Sequence, residues 1–205
     1  MSMARFANVA FSDGSLLHGF NQRFLKKQPL SAPNDVKRYF LTPQESGELC
    51  MLSGLMGEWG EIFFPKLDAG SHMMTFSDIA IRFLQEKGFH PLQCNSEAEA
   101  RDSAGGAIAS GQWPCYFFSS DTTGEKAYEE FYTGAEQLSL NRFSGIGVVE
   151  TPSKNMLEEL ERFRASVNGY IKSGSWNKQQ LVECFLELVP EFTHEELGRN
   201  LDQRM

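Results

Sequence analysis

The stretch Ala4-Arg5-Phe6-Ala7-Asn8-Val9-Ala10-Phe11-Ser12-Asp13-Gly14-Ser15 decides how the chain begins to fold. Its apolar residues up to Phe11 predict a buried strand, and the Gly/Ser segment after them predicts a turn. Ser15 then stands where a side chain can cap the helix that follows. A buried strand needs a neighbour to pair with, so we expect this strand–turn–helix unit to lie within a larger sheet.

Strands and helices continue to alternate from this stretch to about residue 150. Helices are predicted after the capping residues Thr42, Thr75 and Ser96, the last of them fading near residue 105. Further strands are predicted at Val36–Leu41, Glu61–Phe64, His90–Gln93, Tyr116–Phe118 and 146–149. This order predicts an α/β fold with a largely parallel sheet over residues 4–150.

Residues 151–205 predict a helical tail with a different character. An apolar stripe predicts one helix over Lys154–Ile171, which Ser173-Gly174-Ser175 would end. Asn177 is placed to cap a second helix, and Thr193 to cap a third from His194 to about Leu201. We therefore expect two parts, an α/β part over residues 4–150 and a helical tail over residues 151–205.

The composition indicates an ordered protein and excludes some classes of function. The 205 residues are 41% hydrophobic and include seventeen Phe, enough to build a core. A net charge of −8 argues against nucleic-acid binding, which needs clustered cations. The four cysteines have no metal-site spacing and predict buried thiols in a reducing compartment. With no signal peptide or apolar run long enough for a bilayer, we expect a cytoplasmic protein.

The common catalytic and cofactor motifs do not occur in the sequence. The four histidines lie in separate segments, so we predict no metal site. There is no G-x-S-x-G elbow, no G-x-G-x-x-G and no P-loop. We therefore assign no catalytic residue and expect no tightly bound cofactor on this chain.

The remaining polar groups suit the binding of an anion. Asn8 lies where the first strand meets its turn. Its side-chain amide can donate to a phosphate, or it can simply hydrogen-bond backbone groups of the turn. Ser15 opens a helix whose N–H groups attract anions, although capping alone also explains it. Arg38 lies among apolar and aromatic neighbours and needs a protein carboxylate or a ligand phosphate. Thr122 and Glu125 stand in a polar turn, Thr122-Thr123-Gly124-Glu125-Lys126, that is either a ligand loop or a plain cap.

Five segments together resemble a known family, and they span roughly residues 4–150. The sequence is similar to the extended short-chain dehydrogenases, nucleoside-diphosphate-sugar epimerases and especially the UDP-N-acetylglucosamine 4,6-dehydratase type of the polysaccharide-biosynthesis group. The segments are Arg5-Phe6-Ala7-Asn8-Val9 (R-x-x-N-V), Ser12-Asp13-Gly14-Ser15 (Ser-x-Gly-Ser), Lys37-Arg38-Tyr39-Phe40 (Thr-Arg-Phe), Gly60-Glu61-Ile62-Phe63-Phe64-Pro65-Lys66 (G-E-I-F-x-P-K) and Gly124-Glu125-Lys126 with Glu129-Glu130 (R-P-G-E-K-x-x-E-E).

The resemblance implies the C-terminal, substrate-binding part of an NAD(P)-binding Rossmann-like extended fold. By it, Asn8 and Arg38 would hold a diphosphate, and the segment Gln28–Pro33, with Leu30 and Ala32, would line a uridine pocket. Ser15, Thr122 and Glu125 complete the implied substrate contacts. Thr122 departs from the pattern because the family has an arginine there, and the tail is longer than the family's usual ending.

The resemblance also implies partners for this chain. The Gly-rich cofactor loop and the Tyr-x-x-x-Lys pair of the family are not in this sequence. We therefore expect NAD(P) only in a full-length enzyme, a partnership with the missing N-terminal half, a nucleotide-sugar substrate, and no activity alone. The sheet edge left by a missing half predicts self-association. The alternative is a non-catalytic module that binds a nucleotide sugar or another protein.

Overall fold

The computed structural model describes residues 1–152, 156–194 and 196–198, and it shows an α/β arrangement of strands and helices. The strands are β1 (Met3–Ala4), β2 (Asn8–Val9), β3 (Leu30–Pro33), β4 (Lys37–Arg38), β5 (Phe40–Leu41), β6 (Glu61–Pro65), β7 (Met74–Thr75), β8 (His90–Cys94), β9 (Gln112–Phe118), β10 (Gln137–Ser139) and β11 (Ile146–Glu150). The helices are α1 (Leu16–Leu25), α2 (Pro43–Met56), α3 (Ala69–His72), α4 (Phe76–Glu86), α5 (Glu97–Ala109), α6 (Leu157–Ser173) and α7 (Lys178–Leu188).

The largest core forms on a three-stranded parallel sheet with the order β3-β9-β8. In the central strand, Cys115 stands opposite Leu30 on one side and Gln93 on the other. Trp113 of the same strand stacks on Phe24 of α1 at a centroid distance of 4.4 Å and donates its indole N–H to the Gln28 carbonyl. Helices α1, α4 and α5 pack against this parallel sheet and bury Leu30, Trp113 and Cys115 of its strands.

A second sheet is mixed, with the order β1-β6-β11-β10. β1 runs parallel to β6, whereas β11 pairs with both β6 and β10 in the antiparallel sense. Phe63 and Phe64 of β6 and Val148 and Val149 of β11 are buried. Gly147 faces Phe64 across this pair, and a Cβ at Gly147 would lie 2.2 Å from the ring. Because Gly147 has no side chain, the Phe64 ring can lie over the neighbouring strand β11 at this position.

Two short strand pairs complete the first part of the chain. β2 runs parallel to β5, which places Asn8 opposite Phe40. β4 runs antiparallel to β7, which places Arg38 opposite Met74. The two pairs bring Asn8 of β2 close to Arg38 of β4, because β5, the partner of β2, is separated from β4 only by Tyr39.

Five of the helix starts predicted from capping residues are confirmed. The side chains of Ser15, Thr42, Thr75 and Ser96 each accept a hydrogen bond from the backbone N–H three residues later. Asn177 does the same for α7 and forms a capping box with Gln180. These contacts are local, so the sequence pattern was sufficient to predict them.

Several predicted elements differ from the structure. The opening strand is two separate strands, β1 and β2, because the chain leaves β6 and crosses to β5. The predicted strand Val36–Leu41 is likewise divided into β4 and β5, which pair with different partners. α5 continues to Ala109 and is closed by Gly111 at φ +82°, beyond the expected fading near residue 105. β10 was not predicted, and the sheet that holds it is mixed and not parallel.

The tail and the cysteines also depart from expectation. The described part of the predicted third helix (residues 194 and 196–198) is not helical, and the remainder lies outside the described residues. The start of the first predicted tail helix at Lys154 also falls outside them, and the structure begins α6 at Leu157. Cys94, Cys115 and Cys184 are buried as predicted, whereas Cys50 is exposed on α2.

Contacts divide the chain into two compact units. The first comprises Met1–Ser120 and Lys126–Thr151, and the second comprises Asp121–Glu125 and the described residues from Pro152 onward. In the second unit, α6 packs on α7 in a helical hairpin, with Phe163 and Phe185 in ring contact at 5.1 Å. Gly174 ends α6 in the left-handed conformation at φ 63°.

Candidate functional site

Asn8 stands at the centre of a small polar cluster in the first unit. Its Nδ2 donates to the Glu129 carboxylate at 3.1 Å and lies 3.5 Å from the Tyr39 carbonyl oxygen. The parallel pairing of β2 and β5 brings Asn8 next to Tyr39, and the irregular segment after residue 126 supplies Glu129. Asn8 and Glu129 are 121 positions apart, so only the tertiary fold joins them.

Glu129 is the anion of this cluster. Burial raises the pKa of its carboxyl above the usual value, while the charge of Arg38 and a hydrogen bond from the Tyr39 backbone N–H act in the opposite direction. The charge on Glu129 is therefore held by one guanidinium, one backbone donor and the Asn8 amide. A half-buried carboxylate with three such partners marks a position where several donors converge on one anion, while burial still disfavours its charged form on balance.

Arg38 lies at the edge of the cluster and has an aromatic neighbour. Its guanidinium carbon is 5.7 Å from the centre of the Phe76 ring, and its Nη1 donates to the Lys37 carbonyl at 2.8 Å. The sequence left open whether Arg38 meets a protein carboxylate or a ligand phosphate. The structure gives it a protein carboxylate, Glu129, as an electrostatic partner.

Tyr39 itself is buried beneath the cluster. Burial raises the pKa of its phenol, and the nearby Asp68, Tyr132 and Glu129 raise it further. Its ring packs on Phe131 at a centroid distance of 5.0 Å. Tyr39 therefore keeps its proton and acts in the cluster through its backbone groups.

Ser15 and the strand β3 have structural contacts of their own. Ser15 accepts a hydrogen bond from the His18 N–H at 3.3 Å, which is the capping role. Leu30 and Ala32 have 0% and 1% of their surface exposed, because their side chains face the large core. A ligand could therefore meet β3 through its free main-chain edge or through the partly exposed Ser31 and Pro33, but not through the Leu30 and Ala32 side chains.

Thr122 and Glu125 belong to the second unit. The Glu125 N–H donates to the Thr122 carbonyl at 3.3 Å across a turn in which Gly124 has φ +75°. Between them, the Thr123 hydroxyl donates to Glu196 and accepts from the Leu197 N–H. Glu196 is also paired with Lys178 and His194, and these bonds, led by that of Lys178, lower its pKa to about 2. The turn is thus fastened to the tail.

Three charged residues of the resembling segments have structural roles. Arg5 binds both carboxylate oxygens of Glu136 and the Phe131 carbonyl. Glu61 binds Arg142, whose guanidinium also lies against Phe63 and Phe143, and Lys66 donates to the carbonyls of Leu140, Phe143 and Ser144. Together these contacts hold the segment that leads into and out of β10.

Sequence reasoning assigned Asn8 and Arg38 but missed Glu129 and the Tyr39 backbone N–H. The only signal was the pair Glu129-Glu130 after Gly124-Glu125-Lys126, and it gave no reason to choose between the two glutamates. In the structure Glu130 turns to Lys126 in an exposed pair, whereas Glu129 turns inward. Within the described residues, no group of three or more His, Cys, Asp or Glu is arranged to hold a metal ion.

None of the helices in the described part of the chain has the length and apolar character needed to cross a membrane. The longest of them, α6, is rich in Glu and Arg.

The chain is similar to known proteins in sequence and in fold. A family model described as polysaccharide biosynthesis protein matches residues 1–151. Among solved structures, the X-ray structure of Pen from Bacillus thuringiensis is similar with a TM-score of 0.55 and 19% identity, over 75% of this chain and 41% of that one. The chain thus spans less than half the length of Pen, and at this identity the likeness shows the fold alone. A comparison with curated proteins gave no match.

Because the family model covers well over half of the sequence, the chain belongs to the polysaccharide biosynthesis protein family, the family of nucleoside-diphosphate-sugar epimerases and dehydratases.

Proposed function

We propose that this chain is the substrate-binding portion of an NAD(P)-dependent nucleotide-sugar 4,6-dehydratase or epimerase that acts on a UDP-sugar such as UDP-N-acetylglucosamine. The observation that carries the proposal is the convergence of the Asn8 amide, the Tyr39 N–H and the Arg38 guanidinium on one anion position. Donors of these three kinds are suited to the oxygens of a diphosphate, which carry negative charge and only accept hydrogen bonds.

Arg38 would contribute most to this site. A guanidinium offers two N–H groups in a fixed fork, and its position against Phe76 restricts the side chain before a ligand arrives. Asn8 would add a neutral donor from the neighbouring strand. The main-chain edge of Leu30–Pro33 would face the uracil, since the side chains of Leu30 and Ala32 are in the core. Ser15 is proposed as a further contact, whereas for Thr122 and Glu125, which belong to the second unit, a substrate contact stays a prediction from the sequence.

The described residues do not fit NAD(P). In a dinucleotide site, glycines let the turn between a strand and a helix approach the pyrophosphate closely. The turn from β2 to α1 has one glycine, Gly14, and the turn from β8 to α5 has none. The Ser15 and Ser96 side chains also cap these helices and use backbone donors that a pyrophosphate would need. We propose that any NAD(P) is held by another part of the enzyme and that this chain alone turns over no nucleotide sugar.

Calorimetric titration of UDP-N-acetylglucosamine into the full chain tests the proposal. We expect binding by the wild type and about 30- to 150-fold weaker binding by Arg38→Lys, because a charge-assisted contact is worth about 2–3 kcal/mol. Asn8→Ala should weaken binding less, since a neutral donor contributes about 1 kcal/mol. Arg101→Lys, on the exposed face of α5, is the matched control and should bind as the wild type does.

Three results would contradict the proposal. If the wild-type chain does not bind UDP-N-acetylglucosamine, the proposed substrate-binding role is wrong. Equal binding by wild type and a folded Arg38→Lys variant would show that the diphosphate is held elsewhere. Turnover of the nucleotide sugar by the purified chain would show that the catalytic groups are present in it after all.

A further inference from the structure

The anion position in the Asn8 cluster already holds a carboxylate of the protein. Glu129 accepts from Asn8 Nδ2 through Oε2 at 3.1 Å, its carboxylate also accepts from the Tyr39 N–H, and the positive charge of Arg38 acts on it. These are the same three groups that we propose for the ligand's diphosphate. Glu129 and a diphosphate therefore compete for one set of donors.

The charges around Glu129 do not favour a second anion beside it. Arg38 is the cation that acts on Glu129 within the described residues. Besides burial, Asp68, Tyr132 and Glu129 raise the pKa of the Tyr39 phenol, so acidic groups already surround Tyr39. Glu130 and Lys126 neutralise each other at the surface. A diphosphate next to an ionised Glu129 would thus place more negative charge in the cluster than Arg38 can balance.

Protonation of Glu129 resolves this conflict. Its half-buried position already disfavours the charged form, so its pKa stands above the usual value before any ligand is present. A diphosphate nearby would raise this pKa further, because like charges disfavour ionisation. A protonated carboxyl can also donate to a phosphate oxygen, which an ionised one cannot do.

We propose that Glu129 is a specificity-determining residue of the anion site, which excludes ligands while ionised and takes up a proton when a diphosphate binds. This inference rests on the proposed function, because it assumes that the diphosphate binds between Asn8 and Arg38. It predicts that affinity falls as pH rises, and that binding removes about one proton from the solution per ligand.

Calorimetric titration of UDP-N-acetylglucosamine into wild type, Glu129→Gln and Glu130→Gln between about pH 5.5 and about pH 8 tests the inference. Two quantities are measured at each pH: the affinity for the ligand and the number of protons taken up on binding, which are thermodynamically linked. The ligand's diphosphate, esterified on both sides, does not titrate in this range. Each titration is repeated in two buffers of different ionisation enthalpy, and the difference in heat counts the protons taken up.

We expect the wild type and Glu130→Gln to take up protons and to bind more weakly at high pH. Glu129→Gln keeps an acceptor for Asn8 and removes the charge. It should therefore bind about tenfold more tightly than wild type near pH 8, with no proton uptake and little dependence on pH. Thermal unfolding checks that each variant is folded, and the wild-type proton count tests the inference even if Glu129→Gln does not fold.

The possible failures are distinguishable. If the wild type binds without proton uptake, or a folded Glu129→Gln binds no more tightly at high pH, the inference is wrong and the proposed function stands. Weaker binding by Glu129→Gln at every pH would show that Glu129 contacts the ligand as an ionised acceptor, and this too overturns the inference. If no protein binds the nucleotide sugar, the proposed function and the inference both fail.

Discussion

Arg5 and Glu136, which are 131 positions apart, form a two-pronged ion pair that ties the first loop of the chain to the segment before β10. The guanidinium Nη atoms lie 3.1 Å and 3.2 Å from the two carboxylate oxygens, and Nη1 also donates to the Phe131 carbonyl at 2.6 Å. Phe131 in turn packs on Tyr39, beneath the Asn8 cluster. The ion pair thus supports the cluster from outside it.

We expect Glu136→Gln to lower the free energy of unfolding by about 1–3 kcal/mol at neutral pH, because it removes a charged hydrogen-bond partner of Arg5. Burial by itself would raise the pKa of Glu136, but the bonds from Arg5 and the Thr133 N–H outweigh it and lower the pKa. The stabilisation is therefore complete above the unfolded pKa of about 4.3 and is lost as pH falls through the lower, folded pKa.

Urea unfolding of wild type and Glu136→Gln at neutral pH and at about pH 3 measures this effect. The difference between the two proteins should shrink in acid. Glu130→Gln is the control, since its exposed pair with Lys126 is worth at most about 0.5 kcal/mol. A difference that stays constant down to low pH would show that Glu136 acts through packing and not through its charge.

Replacement of Gly147 should destabilise the second sheet. A Cβ at this position would lie 2.2 Å from the tip of the Phe64 ring, which is buried and cannot move aside freely. We expect Gly147→Ala to cost about 1–3 kcal/mol in unfolding free energy. Gly105→Ala, in α5 with open space around it, should instead be stabilising by about 0.5–1 kcal/mol. Equal stability of Gly147→Ala and wild type would contradict the close approach of Phe64.

Lys66 should keep the loop between β10 and β11 in one conformation. Its ammonium donates to the carbonyls of Leu140, Phe143 and Ser144 and so joins three positions of this loop. We expect Lys66→Met to speed amide hydrogen exchange in residues 137–146 and to cost about 1–3 kcal/mol. Lys172→Met, at the end of α6, should leave exchange in this loop unchanged. If amide exchange in residues 137–146 is unchanged in Lys66→Met, the Lys66 hydrogen bonds do not hold this loop in place.

We propose that the chain self-associates through α2. This helix buries Leu49 but leaves Leu55 82% exposed, and the adjacent Trp59 is 78% exposed. Large apolar groups in such a patch favour association with another surface. Light scattering should detect oligomers of the wild type, and Leu55→Lys should shift the distribution toward monomer. Leu25→Lys, at the end of α1, is the control. A monodisperse wild-type monomer at high concentration would contradict this prediction.

The candidate site shows where sequence reasoning succeeded and where it could not. Asn8 was predicted to contact a bound anion because its amide stands at the end of a strand, and Arg38 because its guanidinium lies among apolar and aromatic neighbours and needs an anion. Their proximity to one another follows from the parallel pairing of β2 and β5. The choice of Glu129 over Glu130 depends on which carboxylate turns inward, and adjacent residues of the same type carry no signal for that in the sequence.

The sequence by itself determined the α/β class and the starts of α1, α2, α4, α5 and α7. A helix cap is satisfied by a backbone group three residues away, so local order along the chain is sufficient to predict it. The tertiary structure decided what depends on contacts between distant residues. It divided the opening strand between two sheets, made the second sheet mixed, paired Arg5 with Glu136 and placed Glu129 against Asn8. Those pairings are chosen by the packing of whole sheets, since a strand's own residues specify which face is apolar but not which neighbour it joins.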